Sequence, residues 1–281
     1  MRPPPFEYRE PGSVHEVCAV LAEYGERAAV LAGGQSLIAD LNARRVRPDV
    51  VVSIGRTPGL DSVETTDNWL RIGAAVTQRV AAAAPGAPPV LVEALEQVGH
   101  VPTRNRGTVG GSIAFADPAA ELAAVLLGLG GSVLLRSVSG EREVAAEEWF
   151  TGPFRTARRP DELLVEVRLP IRAGVWAFEQ RDFRRHAKVS VVAGLAPDGT
   201  LRVAASGVAD TPVLLPEVGE PVVGADRATE VAQALGALVQ PSADLYGGLA
   251  YRHRMVELAA TAALRRVLVA RTVTPATVGS R

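Results

Sequence analysis

Cysteine and histidine are scarce in this 281-residue sequence, which contains one of the first, Cys18, and four of the second. A single thiol permits no intramolecular disulfide and provides no thiolate set for a zinc site or an iron–sulfur cluster, so any cluster must sit on a partner. His15, His100, His186 and His253 lie far apart and none forms an H-x-x-x-H pair, so no metal ligand is assigned. A G-x-S-x-G elbow is missing too, and Glu147-Glu148 before Trp149 reads as the charged start of a helix rather than an acid–base couple. No catalytic side chain emerges. Neither sign of charge is in excess: 30 Lys and Arg against 31 Asp and Glu give a formal net charge of −1. That removes the long-range attraction on which nucleic-acid binding draws. Long apolar runs are also lacking, since the stretch 122–135 is too short and too rich in glycine to span a bilayer. Met1-Arg2-Pro3-Pro4-Pro5 contains no leader-type apolar segment, and the cytoplasm is the expected location.

What the sequence does have is a large apolar fraction, 47%, enough to fill two or three compact lobes, and two glycine-bearing segments. The first, Ala32-Gly33-Gly34-Gln35-Ser36-Leu37, follows the apolar run Ala28-Ala29-Val30-Leu31 and precedes Ile38-Ala39-Asp40-Leu41. The pattern predicts strand, loop and helix. Glycines that accept positive φ let successive N–H groups turn inward as a nest, and a helix start behind them adds a positive dipole end. A pyrophosphate suits such a cradle. Its spacing matches neither G-x-G-x-x-G nor G-x-x-x-x-G-K-[ST], and a Gly-Gly pair after a strand also reads as an ordinary turn.

The second segment runs from Arg104-Asn105-Arg106-Gly107 through Thr108-Val109-Gly110-Gly111-Ser112-Ile113 to Asp117-Pro118. Asp117 is expected as N-cap and Pro118 as first residue of a helix with Glu121 at its fourth position, continuing through Leu122, Val125, Leu126 and Leu129. Arg104, Arg106 and the run Arg181, Arg184, Arg185, Lys188 read either as solvated faces or as contacts to a phosphate or partner.

Between these segments the order of elements gives an expected organisation of three lobes, residues 1–57, 58–172 and 173–281. A capping box at Ser13-Val14-His15-Glu16 starts a helix through Tyr24, and Val50 to Ile54 forms a buried strand in the first lobe. The second lobe takes a strand from Trp69 to Ile72, a helix from Leu91 to Val98, and strands at 133–135 and 163–169. In the third, strands are expected at 175–183, 187–195 and 201–208, with a turn at Pro197-Asp198-Gly199 and helices at about 228–239 and 249–270.

Taken together, the two glycine segments, Arg47-Pro48-Asp49, Ile54-Gly55-Arg56-Thr57-Pro58-Gly59-Leu60 and Asp161-Glu162-Leu163-Leu164-Val165-Glu166-Val167-Arg168-Leu169-Pro170 resemble the FAD-binding medium subunit of molybdenum hydroxylases. That family includes the flavoprotein parts of carbon monoxide dehydrogenase and of the xanthine dehydrogenase group. The resemblance implies an α+β fold: a two-lobed FAD-binding domain of the vanillyl-alcohol oxidase/PCMH type, then a small α+β domain with a three-stranded antiparallel sheet. It implies FAD as cofactor, with Ala32, Gly33, Gly34, Gln35, Ser36 and Leu37 around the pyrophosphate. Thr108, Gly110, Gly111 and Ser112 are implied on the flavin side, with Asp117 at a ribose or ribityl hydroxyl and Leu163 at a ring edge. Glu179 stands where members of the xanthine dehydrogenase group have a basic residue, so Arg181 or Lys188 is expected to supply that charge. No histidine or cysteine lies in the first loop to link the flavin covalently, and the FAD is expected to be dissociable. The implied partners are an iron–sulfur small subunit with two [2Fe–2S] clusters and a molybdenum-cofactor large subunit, in a hetero-oligomer that passes electrons through this chain to an external acceptor. Two other readings of the residues are a free-standing FAD-dependent oxidoreductase and a flavin-fold scaffold without its cofactor.

Overall fold

The computed structural model describes residues 3–66, 68–183, 187–196, 200–215, 225–238 and 249–273. It begins with β1 (Glu7–Arg9), α1 (Val14–Tyr24), β2 (Ala28–Leu31), α2 (Leu37–Asn42) and β3 (Val50–Ser53). There follow β4 (Val63–Thr65), β5 (Trp69–Gly73), α3 (Gln78–Ala82), α4 (Pro89–Gln97), α5 (Val101–Arg106), α6 (Val109–Phe115), α7 (Glu121–Leu129) and β6 (Ser132–Ser137). Next come β7 (Gly140–Ala145), α8 (Ala146–Trp149), β8 (Phe150–Gly152), β9 (Arg155–Thr156) and β10 (Leu163–Pro170). The last elements are β11 (Val175–Phe183), β12 (Ala187–Leu195), β13 (Leu201–Ser206), β14 (Val213–Leu214), α9 (Ala225–Leu238) and α10 (Leu249–Val273). The chain divides into two compact units, Met1–Asp117 with Gly130–Ile171, and Pro118–Leu129 with Arg172–Arg281.

In the first unit, β1 and β2 flank β3 in a parallel sheet, with Glu7 and Ala28 both in register with Val50. The unbroken valine run of β3 suits a central parallel strand, because both of its faces are covered. α1 forms the crossover between β1 and β2. Ser13 Oγ caps it by accepting from Glu16 N at 3.2 Å, while the Glu16 carboxylate accepts from Gly12 N at 2.7 Å, one residue earlier than a standard capping box. The second sheet has the order β4-β5-β10-β6-β7. Val167 and Leu169 of its central strand are buried, whereas Glu166 and Arg168 join Arg71 and Glu143 in a row of ion pairs across β5, β10 and β7. α8 starts at Ala146 with Glu147 and Glu148 in its first turn, as the sequence leads one to expect.

The second unit is a four-stranded antiparallel sheet, β11-β12-β13-β14, rather than the expected three strands; the added edge strand is two residues long. α9 and α10 cover one face, where Val191, Val203 and Ala205 pack in one core with Leu235, Val256 and Leu264. α7 covers the opposite face against β12 and β13, although its sequence lies between the second glycine segment and β6. All nine of its residues are buried. Arg172 Nε donates to Leu129 O at 2.7 Å and Arg202 Nε to Gly128 O at 3.1 Å, so two cations meet the negative end of the helix, with Glu121 at the other end. At Gly128 a Cβ would lie 2.7 Å from Val192 Cγ1, which forces the glycine. Gly128→Val is therefore expected to cost about 2–3 kcal/mol of stability, read as a lower urea midpoint. The turn expected at 197–199 lies outside the described residues. So do Arg184, Arg185 and His186, as does the side chain of Lys188, whose backbone pairs in β12 with Asp182.

Among the described residues no helix is long and apolar enough to cross a membrane.

Candidate functional site

The first glycine segment is a strand–loop–helix, as expected: β2 ends at Leu31 and α2 starts at Leu37. Gly34 has φ +73°, a left-handed conformation that L side chains resist. Ile38 N donates to Gly34 O and Asp40 N to Ser36 O, closing the first turn of the helix. Gln35 Nε2 donates to Gly33 O at 3.2 Å, which ties the loop to itself. Among the described residues the amides of Gly33, Gly34, Gln35 and Ser36 donate to no protein acceptor, and the Ser36 hydroxyl makes no cap bond. These are four consecutive donors in a partly exposed loop at a helix start. They suit an anion.

The second glycine pair is built differently from the first. Gly110 and Gly111 lie in the first turn of α6, and Thr108 is its N-cap, its buried hydroxyl accepting from Gly111 N at 2.9 Å. Val109 N donates to Val76 O and Gln78 N to Gly107 O, so this segment is stitched to the chain leaving β5. Most of its amides are thereby satisfied within the protein. Gly110 is required by packing: a Cβ there would lie 2.5 Å from Ala74 Cα. The Ser112 hydroxyl has no partner among the described residues, whereas its carbonyl receives Ala116 N as α6 closes.

The two segments, far apart in sequence, touch. A Cβ on Gly33 would sit 2.7 Å from Gly107 Cα and also collide with the Arg106 carbonyl oxygen. A Cβ on Gly111 would reach Ala32 Cβ at 3.4 Å, and one on Gly107 would reach Gln35 Cγ at the same distance. Ala32 to Ser36 and Gly107 to Ser112 thus lie side by side, the first segment with the unspent amides and the second with the Thr108 and Ser112 hydroxyls. Glycine spacing within each loop gave no sign of this contact, nor of the part played by Arg106 and Gly107.

Residues 4–172 match the family described as FAD binding domain in molybdopterin dehydrogenase. The chain belongs to that family. It is 32% identical over 272 residues to the nicotine 6-hydroxylase medium subunit of Paenarthrobacter nicotinovorans, covering 92% of this chain and 95% of that protein. It is 31% identical over 272 residues to the carbon monoxide dehydrogenase medium chain of Hydrogenophaga pseudoflava, covering 91% of this chain and 94% of that one. Among solved structures, quinoline 2-oxidoreductase from Pseudomonas putida 86 superposes with a TM-score of 0.89 at 30% identity, over 96% of this chain and 99% of the other. FAD is accordingly the cofactor and the protein is an oxidoreductase. The residues present fit the group: unspent amides lie in a partly exposed loop where a diphosphate needs donors, and a Cβ at Gly33 would collide with the Arg106–Gly107 main chain, which closes one side of the cradle.

Asp117 does not cap α7. The helix begins at Glu121, which puts Ala120 in the cap position, because Ala116 ends α6 in the left-handed conformation (φ +51°) and Pro118 O is engaged by Gly207 N. Leu163 is buried at the start of β10, in register with Arg136. Leu37 is half-buried at the first position of α2. In the second unit Glu179 accepts from Arg181 at 3.0 Å and from Arg266 of α10 at 3.4 Å, and so clasps helix to sheet. Those ion pairs give an acidic residue a structural role at this position. Arg104 donates to Val98 O and Gly99 O at the end of α4, a structural role. Trp149 Nε1 donates to Ile113 O at 3.1 Å, both groups buried, and anchors α6 from below; nothing local in the sequence signalled it. Cys18 is buried with its thiol on Arg136 O, and burial pushes the thiol up from its ordinary value, which leaves it a poor nucleophile.

Proposed function

We propose that this chain is the FAD-bearing medium subunit of a molybdenum hydroxylase complex, with an iron–sulfur small subunit and a molybdenum-cofactor large subunit as partners. The observation that supports this reading best is the run of four unspent amides at Gly33–Ser36, set against the Gly107–Ser112 segment in a chain of this family. FAD, when bound, supplies redox chemistry between the partner's [2Fe–2S] clusters and an external acceptor. This chain's residues hold and orient it. The amides of Gly33, Gly34, Gln35 and Ser36 donate to pyrophosphate oxygens, with the Ser36 hydroxyl beside them, while Ala32 and Leu37 line the loop. Thr108 and Ser112 offer hydroxyls, with Gly110 and Gly111 keeping the main chain of α6 close. Asp117 accepts from a ribose or ribityl hydroxyl and Leu163 packs at a ring edge. No side chain acts as nucleophile or proton relay, and the cytoplasm is the proposed location.

The test is to express the full chain, record its visible spectrum, and analyse proteins and metals that accompany it from its native source. A dissociable flavin, together with two further subunits carrying iron and molybdenum, is the expected result. A colourless chain whose melting temperature ignores added FAD would sink the proposal.

A further inference from the structure

We propose that the guanidinium of Arg106 is the cation that neutralises the cofactor pyrophosphate, a role that rests on the cradle assigned above to Gly33–Ser36. The four amides of that loop provide dipoles only, whereas a diphosphate diester carries about two negative charges at neutral pH, so a side-chain cation beside them strengthens the binding. The main chain of Arg106 lies directly against the cradle: a Cβ on Gly33 would be 2.9 Å from its carbonyl carbon. Its side chain is exposed and has no ion-pair or hydrogen-bond partner among the described residues. Two neighbouring arginines are engaged elsewhere. Arg104 is held by the carbonyls of Val98 and Gly99, and Arg45 is paired with Asp40 at 2.9 Å. That second pair also cancels the one carboxylate in the first turn of α2, so the cradle is not left acidic. Arginine suits this position because its planar fork meets phosphate oxygens in pairs.

The test titrates the flavin-free full chain with FAD and with riboflavin, which lacks phosphate, by fluorescence quenching at two salt concentrations. Arg106→Gln is expected to weaken FAD roughly tenfold, to flatten the salt dependence, and to leave riboflavin affinity unchanged, with Arg106→Lys retaining most of the FAD affinity. Equal weakening of both ligands points to a disturbed loop and overturns the assignment. So does FAD binding by Arg106→Gln that equals the parent in strength and salt response. If the parent chain itself binds no FAD, the cradle reading fails and this one falls with it.

Discussion

Gly33→Val is expected to abolish flavin retention, with FAD affinity reduced about 100-fold or more and little change in the far-ultraviolet spectrum. The reason is what the new side chain meets. At Gly33 the obstruction is main chain, the Arg106 carbonyl and Gly107 Cα, and neither can step aside without dismantling the stitching of Gly107 to Gln78 and of Val109 to Val76. The loop must move instead, and its four amides lose their common aim; charge-assisted bonds of this kind contribute about 1.5–3 kcal/mol each, so misaiming two accounts for the loss. Gly34→Ala is the informative contrast. Its Cβ meets the flexible end of Ile38, an exposed side chain, at 2.8 Å and Leu31 Cδ1 at an ordinary 3.4 Å, so the cost is chiefly the φ of +73°, about 1 kcal/mol. A titration of FAD against both variants should rank Gly33→Val far below Gly34→Ala. Equal affinities would mean that contact between the two segments does not shape the site.

That contact is also where reading the sequence stops. The first segment was legible because its signals are local: an apolar run, a glycine pair and an amphipathic restart follow one another within fourteen residues, and the structure has strand, loop and helix there. The second is not legible as a helix, because Gly110-Gly111 argue locally against one. Thr108 overrides them by capping, and Ala74 accepts the bare Cα of Gly110, which no neighbouring residue announces. Asp117-Pro118 illustrates the same limit. It carries the signature of a helix start, yet Gly207, ninety residues on, holds Pro118 O and the helix begins at Glu121. α7 is a helix as expected, but the apolar run after Glu121 says only that it is buried, not that β12 and β13 bury it. The resemblance to a flavoprotein family supplied cofactor and site residues that spacing alone left open.

Arg142→Met should be the most destabilising change in the turn that leads into β10. Glu162, with 5% of its side chain exposed, accepts from Arg142 Nε at 2.6 Å and Nη2 at 2.8 Å, and from Arg159 N at 2.7 Å. Arg158, half-buried, donates to Glu162 O at 2.7 Å, and desolvation pushes its guanidinium below the ordinary value. Burial alone would raise the Glu162 carboxyl, but the hydrogen bonds from Arg142 and the Arg159 amide, with the charges behind them, outweigh it and hold the group below 4.5. Removing either partner is not equivalent. Glu162→Gln frees an arginine that is one-third exposed and can turn to water, whereas Arg142→Met strands a carboxylate in the interior at a cost of about 3 kcal/mol. The pH dependence separates the two cases. In the parent, a depressed carboxyl contributes stability fully above its unfolded value of 4.5, and the contribution is lost as pH falls through the lower folded value. In Arg142→Met the carboxyl is raised, so its penalty is present at neutral pH and relaxes as acidification protonates it. Urea denaturation of parent and variant at pH 7 and near pH 4.5 should therefore show the gap between them narrowing on the acid side. A gap that stays constant would mean that Arg142 stabilises the turn through its bond to Ala157 O and its packing, not through the charge of Glu162.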